Sequence, residues 1–171
     1  MPNILVANVG STSLKFKVFA MPDANHLAEG RIENIGKPQA TFGYKNRRGA
    51  SIRNDDPIPT YTDAVARAMN LLTDPEVGVL KNASELDAVG FKTVHAKGVV
   101  GAVALDDAVL EAMEAYNLVA PLHNPLYLTA IRYFKQALPQ TPMYGLFEPR
   151  FHRTRPAHEY LYAVPRDWEA K

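Results

Sequence analysis

The sequence predicts an α/β domain, a mixed sheet flanked by helices, and three observations carry that prediction. Up to about residue 54, apolar and polar side chains alternate at the period of strands, with turn residues between the runs. From Thr60 onward, apolar residues recur at helical spacing in three separate segments. One short apolar run, residues 86–94, lies between the first and second of those segments and another, residues 142–147, follows the third, both with the length and composition of buried strands. The order is antiparallel strands first, then helix, strand, two helices and strand. Such an order lays helices over a sheet, and a chain of 171 residues is long enough for one core of this kind.

Residues 3–19 open the chain as strand, turn, strand. Ile4, Leu5 and Val6 form an apolar run, and Asn8, Gly10, Ser11, Thr12 and Ser13 interrupt it. Leu14, Phe16 and Val18 then alternate with Lys15, Lys17 and Phe19. The hairpin gathers backbone N–H groups and three hydroxyls at one tip beside Lys15, a composition suited to anionic oxygen. A Gly-Ser-Thr hairpin with no ligand explains the same residues, and the Walker spacing is absent. Residues 21–25 make a turn and 26–35 a third, weakly patterned strand. Residues 39–44 and 50–52 form a second hairpin around the basic turn 45–49, and residues 55–59 are a connector.

Thr60 caps the first helix, 60–72, with Asp63 three residues on, and Val65, Ala68, Met69 and Leu72 supply its apolar stripe. A strand over 86–94 follows. The second helix, 106–116, turns Val109, Leu110 and Met113 inward together with the preceding Leu105. Asn124 and Pro125 predict a cap and a first helical residue for a third helix reaching about Leu138. A strand over 142–147 leads into a loop with Pro149, Arg150, Arg153 and Arg155. Residues 160–164 read as a short strand or docking segment.

Composition narrows the function classes. A formal charge of +1 and a sequence pI of about 8.0 give no bulk electrostatic case for nucleic acid or membrane. The absence of cysteine excludes disulfides, thiolate zinc sites and cysteine nucleophiles. No apolar stretch reaches transmembrane length and no signal-peptide pattern opens the chain, so a soluble, cytoplasmic protein is expected.

Four segments resemble the acetate and propionate kinases. The opening N-x-G-S-x-S-L-K-F is similar to the family's first hairpin, and the resemblance implies that Asn8 helps hold magnesium while Ser11, Ser13 and Lys15 lie near nucleotide phosphates. Residues 90–98 (GFKTVHAKG) align with a family G-H-R-V-V-H-G-G run. They put Lys92 where an arginine contacts the carboxylate substrate or the phosphoryl group, and Val94 on the small acyl pocket. Lysine keeps the charge but loses the planar fork. A buried strand whose Lys92 reaches solvent explains that segment equally. Residues 118–125 (LVAPLHNP) are close to L-A-P-L-H-N-P, which implies Leu122 on the acyl pocket and His123 near the reacting groups; a loop and helix start explain the same residues. Residues 147–152 (FEPRFH) stand where the family has F-D-T-A-F-H, so Glu148 replaces an aspartate on a longer arm. The implied catalytic set is Glu148, Lys92 and His123.

The resemblance implies one ribonuclease H-like lobe of the actin-like fold, occupying residues 1–171 as a single N-terminal domain. Family enzymes are more than twice this long, and their C-terminal nucleotide-binding lobe is expected to be absent here. The implied reaction is ATP + acetate, or another short carboxylate, giving ADP + acyl phosphate with Mg2+. A C-terminal lobe as partner, or a homodimer, is expected to complete it. A degenerate, non-catalytic lobe that binds a ligand or partner is the alternative, and Lys92, Glu148 and the altered glycines point to it.

Overall fold

A computed structural model of the chain describes residues 1–152, 154–159, 161–165 and 167–168. The alternating N-terminal residues build a meander. β1 (Asn3–Gly10) and β2 (Ser13–Ala20) are joined by Ser11 and Thr12 alone, so Asn8 and Gly10 belong to the strand rather than to the turn. β3 (Asn25–Glu33), β4 (Thr41–Asn46) and β5 (Ser51–Asn54) then add in sequence, each antiparallel to the last. Register decides which side chains share a face. Leu5, Ala7 and Val9 stand opposite Val18, Phe16 and Leu14, and all six are buried. The intervening Val6 and Asn8 stand opposite Lys17 and Lys15 on the other face, which is open.

α1 (Tyr61–Leu72) starts at the expected cap. The Asp63 amide donates to the Thr60 hydroxyl at 3.2 Å, and the Thr60 amide donates to the Asp63 carboxylate at 3.0 Å. β6 (Leu86–Thr93) then runs parallel to β1, and β8 (Met143–Phe147) runs parallel to β6. β7 (Gly101–Ala104) pairs antiparallel with β8, giving the order β5-β4-β3-β2-β1-β6-β8-β7. The sequence reading leaves β7 unassigned, because GAVA carries no alternation of its own and is a strand only through its pairing with β8.

α3 (Asn124–Ala137) lies against β1 and touches both α1 and α2 (Asp107–Glu114). Phe91 of β6 meets Phe134 of α3 edge-on, with ring centroids 5.3 Å apart. The core therefore sits between one sheet face and the helices. The start of α3 differs from the sequence expectation. His123, not Asn124, occupies the cap position, and Pro125 is the second helical residue. Asn124 is fully buried instead, because its amide serves the backbone of two other segments: it donates to the carbonyls of His95 (2.9 Å) and Met113 (2.8 Å). Pro149 and Arg150 fall in a 3-10 turn (Glu148–His152). Residues 161–165 form no strand, while Arg153 and Tyr160 lie outside the described residues.

Candidate active site

Three parallel strands, β1, β6 and β8, end at the same edge of the sheet, the edge where open α/β sheets bind ligands. Lys92 is the penultimate residue of β6 and Glu148 directly follows β8. Register sets Lys92 beside Leu146, so Glu148, two residues further on, emerges on the same open face. The Lys92 ammonium lies 3.2 Å from the Glu148 carboxylate. Both side chains are about half exposed, at 47% and 49%, so the pair adds at most about 1 kcal/mol of stability and matters through position. Tyr127, in the first turns of α3, lies within the field of this pair. Burial pushes its phenol above the ordinary value, Lys92 pulls it down, and Glu148 pushes it up.

The hairpin reaches the same place from β1. Asn8 and Lys15 are direct cross-strand partners. Asn8 and Lys92 each follow the Ala7–Phe91 pair on adjacent strands, so hairpin and ion pair share one surface. Tyr61 braces the tip from the start of α1: its hydroxyl donates to the Gly10 carbonyl and lies 3.3 Å from that of Ser13. Burial also raises the Tyr61 phenol above its ordinary value. Ser11 forms the exposed turn, and Ser13 opens β2.

The remaining predicted residues stand further out. Val94, just past β6, is half-buried against the core. Leu122 is 77% exposed. The His123 imidazole is exposed and makes no hydrogen bond among the described residues, although its carbonyl accepts the amides of Leu126 and Tyr127. A concavity of about 810 Å³ is lined by Asn8 and Lys15 but not by Lys92, Val94, Leu122 or Glu148. Among the described residues no group of three His, Cys, Asp or Glu side chains converges on a metal position. The exposed Asn8 offers one neutral oxygen, which fits a magnesium ion that keeps its waters and takes its other oxygens from phosphate.

Sequence reasoning missed Tyr61, Tyr127 and the inward role of Asn124. A tyrosine behind a helix cap has no distinctive spacing, and only the tertiary approach of α1 and α3 to the strand ends gives these residues their roles.

A sequence profile of the acetokinase family matches residues 3–171. Acetate kinase of Coprothermobacter proteolyticus is 41% identical over 164 residues, which is 95% of this chain and 41% of that protein. Among solved structures, Porphyromonas gingivalis acetate kinase superposes with a TM-score of 0.89 at 32% identity. A propionate kinase from Francisella tularensis superposes with a TM-score of 0.87 at 28% identity. Each of these alignments covers 98% of this chain and 42% of the other. The chain thus spans about two fifths of the length of the curated relatives it matches. Its architecture is that of the ribonuclease H-like lobe of an actin-like fold. With the profile extending from Asn3 to the last residue and the fold agreeing, this chain belongs to the acetokinase family.

Proposed function

We propose that this lobe carries the acyl-acceptor half of a carboxylate kinase, acting with a C-terminal lobe to convert ATP and acetate, or another short carboxylate, into ADP and acyl phosphate. The observation that supports this reading best is the Lys92–Glu148 pair on the sheet surface that also bears Asn8 and Lys15. In such a reaction a carboxylate oxygen attacks the terminal phosphorus and the bond to ADP breaks. Negative charge spreads over the transferring group, and fixed positive charge lowers the barrier. Lys92 supplies that charge as a point source, and Glu148 fixes the direction of its ammonium. Lys15 and the hydroxyls of Ser11 and Ser13 hold the phosphate chain. His123 and Leu122 approach the acyl group once a partner covers their loop. Asn8 would hold magnesium together with phosphate oxygens, and the ion would neutralise part of their charge.

Exposed apolar side chains support the need for a partner. On the open sheet face these are Val6, Tyr144 and Leu146; on the loop before α3 they are Leu118, Val119 and Leu122. A second reading, a non-catalytic binding lobe, is favoured by one observation. Lys92 is already neutralised by Glu148 at 3.2 Å, which weakens its hold on an incoming anion.

The test is acyl phosphate formation trapped as hydroxamate, with ATP, magnesium and acetate or propionate. The chain is assayed alone and mixed with the C-terminal lobe of a related acetate kinase, with association followed by sedimentation. Activity only in the mixture, lowered about a hundredfold by Lys92→Met, is the expected result. Association without acyl phosphate would replace the kinase reading with the binding lobe.

A further inference from the structure

The open face changes character across the sheet. Over β1, β6, β8 and β7 it presents Val6, Gly90, Tyr144, Leu146, Ala102 and Ala104, which follow one another through the strand pairings. Over β2 to β5 it becomes charged. Lys15, Arg31, Gly43 and Arg53 form one row of direct cross-strand partners, and Lys17, Glu29, Lys45 and Ser51 form the next. With Glu33 included, five cations face two carboxylates, a surplus of three. The whole chain carries only +1, so the rest of the molecule is net −2 and positive charge is concentrated here.

The two carboxylates are spoken for. Glu29 lies 3.4 Å from Lys17, and Glu33 pairs with Arg31. Among the described residues Lys15, Lys45 and Arg53 have no carboxylate within salt-bridge distance. These side chains line the concavity of about 810 Å³.

Its floor has a notch. At Gly43 no atom stands within 4 Å of where a Cβ would be, and its direct partners on either side are Arg31 and Arg53. Strands lie about 4.8 Å apart, so the two arginine positions straddle a gap of about 10 Å, wide enough for a tetrahedral anion. Arg31 engages Glu33 through one nitrogen, and Arg53 has no carboxylate partner among the described residues. Thr41 and Lys45 stand two residues away on the same face of β4.

We infer that this concavity is an anion site for a linear condensed phosphate, one phosphoryl group seated over Gly43 between Arg31 and Arg53 and the others running along the row toward Lys15. Three features select this ligand. The cations form a line rather than a cluster, which suits a chain of charges. Arginine at the notch matches phosphate oxygens in pairs. The aromatic side chains Phe16, Phe42 and Tyr44 beneath the concavity are buried, so they present no exposed ring for stacking a base. The phosphate chain alone is recognised. Free polyphosphate and the tail of a nucleoside triphosphate share that chemistry. Lys15 is common to this site and to the phosphate contacts proposed above, while Arg31, Gly43 and Arg53 belong to this site alone.

The experiment is titration of the 15N-labelled chain with inorganic tripolyphosphate, followed by amide shifts, in low and moderate salt without divalent cations. Saturable shifts centred on Arg31, Gly43 and Arg53 are expected, weakening as salt rises. Arg53→Ala should raise the dissociation constant about tenfold, as should Gly43→Val, which fills the notch without removing charge. An otherwise unchanged spectrum checks that each variant folds. A parallel titration with ATP separates the sources. Equal sensitivity to Arg53→Ala means that the triphosphate unit is read, and response to tripolyphosphate alone means free condensed phosphate. Absence of saturable shifts, or affinity unchanged in both variants, would overturn the site.

Discussion

Gly30 shows how closely single atoms are constrained in this sheet. A Cβ built there would lie 2.2 Å from the Phe16 ring, which crosses directly over the glycine and is itself buried. Phe16 and Gly30 are direct partners across β2 and β3, so the ring fills the space that the missing side chain leaves. Gly30→Ala should lower stability by about 1–3 kcal/mol, read as a fall in the urea midpoint. Adding Phe16→Leu should recover part of that loss, because the two sites share one volume. Two independent, additive losses would contradict the packing argument. Asn124 is the polar counterpart. Its amide donors are both satisfied, whereas its oxygen is buried without a partner, which marks the residue as a brace held at some cost. Neither Gly30 nor Asn124 announces such a role in sequence. The sequence reading gives the glycine no role of its own, and it takes the asparagine before proline as a cap.

Elements were legible wherever local chemistry decides them. The capping box of α1 and the alternation of β2 are self-contained patterns, and both form as read, whereas β1, read as a short apolar run, extends through Asn8 and Gly10. β7 was not legible, because its strand character belongs to β8. The candidate site is split the same way. Lys92 and Glu148 stand out through family resemblance, but their meeting depends on parallel register between strands more than fifty residues apart in sequence. The contacts of α1 and the segment behind it give a pH-dependent expectation. Burial raises Tyr44 and Tyr61 above the ordinary tyrosine value of about 10, and Tyr127 of α3 is raised too. Their neutral forms are therefore favoured in the folded state. The stability they contribute is complete below about pH 10 and is lost as pH rises through the raised folded-state values. Urea midpoints should be flat on the approach to pH 10 and fall beyond it, and Tyr61→Phe should make the fall shallower. A midpoint that rises in this range would reverse the sign of the argument.

At the scale of the whole molecule, the sheet joins two kinds of connectivity. From β1 to β5 every pairing closes a short turn. The pairing of β1 with β6 instead joins Leu5 to Val89, and that of β6 with β8 joins Val89 to Met143. Closing a long loop costs more chain entropy than closing a hairpin, and non-local pairing slows folding. The meander is also synthesised first. It should therefore be the early folding unit: pulse-labelled hydrogen exchange should protect amides of β2, β3 and β4 before those of β6 and β8. Simultaneous protection would mean that the sheet condenses as a whole. If the order holds, a nascent chain has its basic wing, with Arg31, Gly43 and Arg53 in register, before Lys92 and Glu148 have anywhere to stand. The two ends of one sheet would then differ in age, and a polyanion in the cell could meet the older end while the younger is still unfolded.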